Sequence, residues 1–582
     1  MPKTISFLCA SVFACLCLVS NAQEPRQGTV DKAPSSNESP VIENKNLEAK
    51  FMHRLPSAQV AYGDSAKGKD IEVGVFDGGH VDSLHPEFAG RVVHWKFDFG
   101  LKQLVSSSPI YFDPLNPVSN QPLFDNHATH VGGTIAATGI RKRATGFVPL
   151  ATIASFDWTY DIDELKLAAS SLDVTNHSYG VMTGWARDGS NGAWLWFGRD
   201  GDNAETSLFG LYSSISRAYD AVLYANKKLV TCIAAGNSRD DVGPPPGTYY
   251  QLRLFNADAS ELVNGQYDPV DQQWSFPYSS ATRHQRLGFD RNGVDTMATE
   301  ASAKNVISVG AMIDTLNWDE TSQQPVPSPG AVPQSTPFSG WGPTDDLRIK
   351  PDVISNGATL YSTQIKGQYI EESGTSMATP ATSGICSAMI GTYRSKRGAD
   401  PTSAEIKAML IHTAVDVRVP GPDIETGWGM SDAFEACKYA AGDAGQVFAK
   451  SVTQGSKQEF KIQTDNALDA PEKLRATLVW TDPPGNANLG TGADPAGNAL
   501  VNDIDLMLTA PNGVNHYPYR LNSSDVTGVA LTNGANHVDN VEVIDVPWIA
   551  GEWKATVSAP GHLVDGKQDF AIVFSEKANS SN

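Results

Sequence analysis

The sequence predicts an α/β chain built on a doubly wound parallel sheet and followed by an all-β sandwich or jelly-roll domain. Three observations lead there. The runs Ile71–Phe76, Ala151–Phe156, Asp173–His177 and Leu229–Ala235 are rich in apolar residues on both faces, as strands of a sheet covered on both sides are. Helical stretches, notably Asp163–Ser171 and Leu208–Lys228, alternate with them, which is the order of a parallel sheet. After Ala440 the pattern changes to short strand runs between Gly, Pro and Asn turns, with no helical segment intervening.

The 582 residues exceed one domain on a prior of about 150 residues each. The expected division is a signal peptide at 1–22, an arm or linker at 23–58, the α/β domain at 59–443 and the β-domain at 444–582. Formal net charge is -21, from 44 Lys+Arg against 65 Asp+Glu. This balance argues against a nucleic-acid partner and favours solubility and cation binding.

Met1–Ala22 carries Lys3, an apolar run from Ile5 to Val19 and the small residues Ser20-Asn21-Ala22, the pattern of a secretory signal. The expected location is therefore secreted, periplasmic or extracellular. The run falls short of the roughly 20 residues of a spanning helix, and no later stretch qualifies as a transmembrane segment. Three cysteines lie in the signal; Cys232, Cys386 and Cys437 sit in apolar surroundings and read as core residues.

The first strand ends in Asp77-Gly78-Gly79, which places Asp77 at its carboxyl end before a turn. A long polar loop is expected from there to Asn126. Asn126–Ala137 reads as a helix with His127 and His130 on one face. A metal site at that pair lacks the Glu of a two-histidine zinc helix and an evident third ligand. Asn237 follows the strand Leu229–Ala235, so it too lies at the carboxyl ends where open α/β sheets gather their sites. Pro244–Asp295 reads as a long insertion before the strand Asn305–Ala311, and Ser322–Pro337 as a further loop.

Ser376 stands between small residues in Glu372-Ser373-Gly374-Thr375-Ser376-Met377-Ala378-Thr379-Pro380, where an irregular run gives way to a helix. It is either a cap or a nucleophile beside N–H groups that stabilise an oxyanion. Asp77, His127 and Ser376 follow in the order acid, base, nucleophile.

These motifs together resemble the subtilisin-like serine peptidases. The matching stretches are Val75–Gly79, His85–Phe88, Asn126–Gly133, Asn176–Gly180, Ala234–Asn237, Lys304–Ala311, Phe338–Pro343, Lys350–Val353, Gly374–Pro380 and Gly427–Ala433. The resemblance implies a secreted serine endopeptidase with protein or peptide substrates and no cofactor for catalysis. Ser376 would be the nucleophile, His127 the base, Asp77 its orienting acid, and Asn237 an oxyanion donor. Substrate would add as a strand against Ser178, Tyr179 and Gly180 and the edge before Leu167, with Ala234, Ala235 and Gly236 lining the pocket for the residue before the cleaved bond. Ala128 stands where the family usually has glycine, and Gly132 where it usually has alanine.

The C-terminal stretches Leu478–Pro483 and Leu500–Leu506 resemble the β-barrel domain of one alkaline branch of that family. Asp503 and Asp505, two apart on an expected strand, would share a face and offer oxygen ligands to a structural calcium. A solvated loop is the competing reading of that pair.

Overall fold

The structure, a computed structural model, describes residues 46–98, 100–106, 124–187, 192–197, 208–241, 249–253, 266–268, 273–277, 293–319, 324–328, 331–465, 473–487, 497–576 and 578–580. The expected signal and the expected arm up to residue 45 lie outside the described residues, as does most of the insertion Pro244–Asp295.

The main sheet is built from β1 (Glu72–Asp77), β2 (Val92–Asp98), β3 (Gln103–Ser106), β4 (Thr152–Asp157), β5 (Val174–His177), β6 (Val230–Ala234), β7 (Ile307–Ile313), β8 (Gln334–Ser335) and β9 (Val353–Asn356). Its order is β8-β7-β6-β5-β1-β4-β2-β3, with β9 also paired to β7. The pairs are parallel except at β8 and β3, which run antiparallel to their neighbours. Every residue of β5 and β6 is buried, which accounts for their unbroken apolar character. The chain winds outward in both directions from β1, with β4 on one side and β5 on the other. That switch point is where a crevice opens at the strands' carboxyl ends, and Asp77 is the last residue of β1.

The helices are α1 (Asn46–Met52), α2 (Leu55–Tyr62), α3 (Asn126–Ala136), α4 (Asp161–Ala168), α5 (Ser214–Ala225), α6 (Thr375–Arg397), α7 (Ser403–Thr413) and α8 (Ala433–Ala441). Among them α6 is central, packing on α3, α8, β5, β6 and β7. Gly132 gives α3 a close approach: a Cβ there would lie 2.9 Å from Val81 Cγ1. In α5 the start shifts from the expected Leu208 to Ser214 because Ser213 caps it in a reciprocal box with Ser216.

Three readings of the sequence need correction. The stretch taken as a long polar loop contains β2 and β3; β2 buries Val92 and His94 while Val93 between them faces out. The expected arm at 23–58 becomes helical and buried from Asn46, since Asn46, Glu48, Lys50 and His53 all lie inside. Finally, Leu167 sits on helix α4, so the segment before it is no strand edge.

Beyond α8 two antiparallel sheets face each other. One has the order Gln446–Thr453, Lys567–Phe574, Lys473–Trp480, Val541–Pro547; the other Asn515–His516, Asp505–Thr509, Gly551–Ser558, Lys457–Thr464, Ala578–Ser580. Phe460, Trp480, Trp553, Ile572 and Phe574 fill the core between them, in keeping with an all-β sandwich.

Candidate active site

The site is assembled from four segments that end or begin at the carboxyl edge of the sheet. Asp77 closes β1 fully buried. Its Oδ1 accepts from Gly78 N at 2.7 Å and lies 2.8 Å from His127 Nδ1, which donates to it. The His127 side chain is 27% exposed. Asp125 caps α3 by accepting from Ala128 N at 2.8 Å, and so fixes the turn that carries His127.

Burial alone would push the His127 ring down, but Asp77, Glu372 and Asp125 together hold its pKa up at about 9. The ring is thus an unusually strong base. His130 does not join it: its Nε2 bonds the Leu360 carbonyl at 2.9 Å inside the protein, which leaves no two-histidine metal pair. Asp77, Asp125 and His127 do cluster closely enough to hold a cation, although the Nδ1 that would ligate it is engaged by Asp77.

Ser376 is the second residue of α6, behind Gly374 at the N-cap. A cap without a side chain leaves the first N–H groups of the helix open. Asn237 takes one of them, its Oδ1 accepting from Thr375 N and Thr375 Oγ1, both at 2.8 Å. That fixes the orientation of its amide. A Cβ built on Gly374 would lie 3.5 Å from both Asn237 Nδ2 and Ser376 N. Two nitrogens that carry hydrogen, the Asn237 amide and Ser376 N, thus border the volume that this glycine keeps clear.

The Ser376 hydroxyl donates to the Ser178 carbonyl at 2.9 Å, and Ser178 Oγ returns a bond to the Ser376 carbonyl at 2.9 Å. Ser178, Tyr179 and Gly180 follow the end of β5 and pass from buried to exposed. Opposite them, Ala234 ends β6, Ala235 turns its side chain into the core, and Gly236 is half-buried. Ala298 stands between the two walls: its Cβ would lie 3.2 Å from a Cβ on Gly180 and 3.4 Å from one on Gly236.

The family model described as the subtilase family matches residues 68–429. The chain belongs to the subtilase family. The match ends before the strands of the two C-terminal sheets. Among curated relatives, the serine protease/ABC transporter B family protein tagA of Dictyostelium discoideum is 27% identical over 77% of this subtilase and 28% of its own length. The extracellular serine protease of Serratia marcescens is 25% identical over 65% of this chain and 33% of its own. This subtilase thus spans about a third of the length of these relatives. The solved protease domain of PatA aligns at a TM-score of 0.37 and 17% identity, over 64% of this chain and 96% of that one.

Sequence reasoning missed Asp125, Glu372 and Thr375. An Asp directly before Asn126-His127 carries a readable cap signal; the roles of Glu372 and Thr375 depend on neighbours far along the chain.

In the C-terminal sheets Asp503 precedes the strand that Asp505 opens. His537 joins them, with Nδ1 2.8 Å from Asp503 Oδ2 and 3.6 Å from Asp505 Oδ1. The Oδ1 atoms of both aspartates are buried without a hydrogen-bond partner among the described residues. Below them Glu542 is fully buried, its Oε2 accepting from Leu506 N at 2.5 Å.

Proposed function

We propose that this subtilase is a secreted serine endopeptidase that hydrolyses peptide bonds through Asp77, His127, Ser376 and Asn237. The observation that carries this reading is that the Asn237 amide nitrogen and Ser376 N border the open space beside Gly374, at the same helix start as a serine, in a chain whose His127 already leans on Asp77. A peptide would lie along Ser178-Tyr179-Gly180 as an added strand. Ser376 Oγ attacks the scissile carbonyl while His127 Nε2 takes its proton. Ser376 N–H and the Asn237 amide hold the oxyanion, and His127 then gives the proton to the leaving amine. Water, deprotonated by the same ring, releases the acyl group from Ser376. None of these steps calls for a cofactor.

The test is incubation of the protein with unfolded casein, with and without a serine-directed fluorophosphonate, beside Ser376→Ala. Cleavage and labelling are expected of the parent chain and absent from the variant. Casein cleavage that persists in Ser376→Ala defeats the assignment, and cleavage of p-nitrophenyl esters without peptides would favour an esterase.

A structural calcium is proposed at Asp503 and Asp505, whose buried Oδ1 atoms accept no hydrogen bond among the described residues and suit a hard cation. The ion would offset the repulsion among these carboxylates and Glu542. Calcium at about 100 times its dissociation constant would add about 2.7 kcal/mol of stability. A thermal midpoint that does not respond to calcium or chelator removes this assignment.

A further inference from the structure

The floor between the two walls of the cleft holds a carboxyl group that the catalytic steps do not use. Glu300 opens a short 3-10 turn, Glu300–Ser302, just past Ala298. It is 4% exposed, and its Oε1 accepts from Val181 N at 2.9 Å. Its Oε2 is buried and has no hydrogen-bond partner among the described residues. That oxygen lies 3.1 Å from where a Cβ on Gly180 would stand, beside the Ala298 Cβ at 3.2 Å from the same point. The missing side chain of Gly180 therefore opens toward one small methyl group and one unsatisfied carboxylate oxygen.

Among the described residues, the groups acting on Glu300 are its own N–H, the Val181 N–H and Asp161, none of them a cation. A buried carboxylate lacking a counter-charge is costly. Such a group takes up a proton unless a ligand supplies the missing charge. Asp161, held by Tyr179 and Tyr219, adds negative potential from behind the same wall, and shielding from water leaves that field weakly screened.

We propose that Glu300 makes this pocket select lysine or arginine as the residue preceding the cleaved bond. The inference rests on the reading of Ser178–Gly180 and Ala234–Gly236 as the walls of that pocket. Glu300 is then a specificity residue, with the cation of the substrate as the partner of Oε2. Burial pushes its carboxyl up to about 7 in the free protein, and an arriving cation would hold it ionised.

The experiment measures binding apart from turnover. In the full chain carrying Ser376→Ala, dissociation constants are measured by calorimetry for peptides identical except at that position, bearing lysine, arginine, norleucine or glutamate. Norleucine keeps the length of the lysine stem without the charge. Lysine and arginine peptides are expected to bind about 10- to 100-fold more tightly than norleucine, the scale of a hydrogen bond to a charged group. Adding Glu300→Gln, which preserves an acceptor for Val181 N, is expected to abolish that ratio while leaving norleucine binding unchanged. Equal or tighter binding of norleucine in the chain with Glu300 overturns the proposal, and needs no second variant. So does a lysine preference that survives Glu300→Gln. Casein cleavage by the parent without a lysine preference defeats this inference alone; a lysine preference without cleavage defeats the peptidase reading alone.

Discussion

Ser178 and Ser376 hold each other through two reciprocal hydrogen bonds, each hydroxyl donating to the other's carbonyl at 2.9 Å. The second bond exists because Pro380, inside α6, has no N–H to give to the carbonyl four residues back. Ser376 O is thereby released from the helix ladder and takes Ser178 Oγ instead, which ties the turn proposed to carry the nucleophile to the proposed substrate edge.

Ser178→Ala should therefore destabilise the protein by about 1–3 kcal/mol, since it leaves a buried carbonyl without a donor. Pro380→Ala supplies a new N–H to the same carbonyl. In a thermal-unfolding cycle the double variant is expected to recover about 0.5–1.5 kcal/mol of the loss, the usual worth of one such bond. Strict additivity of the two changes would show that the proline does not govern the contact.

The charge around His127 predicts an alkaline enzyme. With the ring held up at about 9, its neutral form is scarce at neutral pH. kcat/KM should climb about tenfold per pH unit below that value and level off above it. Asp125→Asn, which retains a capping oxygen, and Glu372→Gln each remove a charge that raises the ring and should move the limb to lower pH. Stability follows the opposite sense. A raised histidine stabilises the fold fully below its unfolded value near 6.5, and that contribution fades as pH rises through about 9. A limb that stays fixed in both variants would count against this electrostatic account.

Gly374→Ala probes the space beside Ser376 without touching a side chain that takes part in the chemistry. The added methyl would sit 3.5 Å from Asn237 Nδ2 and Ser376 N, an ordinary packing distance, so the helix start should keep its structure. Because it occupies the volume proposed for the oxyanion, kcat is expected to fall about 100-fold or more with KM little changed, the scale of a lost oxyanion donor. An unaltered kcat would move the oxyanion elsewhere.

The candidate site was legible because its parts are local: Asp77 before Gly78-Gly79, Asn237 after a buried strand, and Ser376 among small residues each announce themselves within a few positions. The parts that were missed owe their state to partners far along the chain. His53 is buried because its Nδ1 donates to Ser431 O at 2.7 Å, 378 positions away, while its Nε2 accepts from Asn356 N. Lys50 is satisfied by Gly146 O at 2.8 Å, and Glu48 by Arg143 at 2.7 Å. A polar segment with such partners has no apolar stripe to read, so α1 resembled a solvated arm. The strand β2 was hidden in the same way, with His94 inside bonded to Val81 O at 2.9 Å.

Lys304 joins the two halves of the molecule. It precedes β7, is fully buried, and its ammonium meets Asp482 while donating to Pro483 O at 2.7 Å and Ala499 O at 2.6 Å. Asp482 is itself fully buried beside the C-terminal strand Lys473–Trp480 and accepts from Asn502 N at 2.8 Å and Val501 N at 2.9 Å. Such a pair gains little net energy over an apolar contact, but an unpaired member is costly. Asp482→Ala is therefore expected to lower stability by about 3–5 kcal/mol, through the stranded lysine. The paired replacement Lys304→Met with Asp482→Leu should restore only the part of that loss due to the stranded charge, because the N–H groups of Val501 and Asn502 still lack the acceptor that Asp482 gave them. Loss of peptidase activity at moderate temperature in Asp482→Ala, regained in the paired variant, would mean that the β-sheets brace the catalytic unit through this contact. Equal stability of the single and paired variants would instead show that the lysine finds other partners, among them Asp220, whose Oδ2 lies 3.9 Å away.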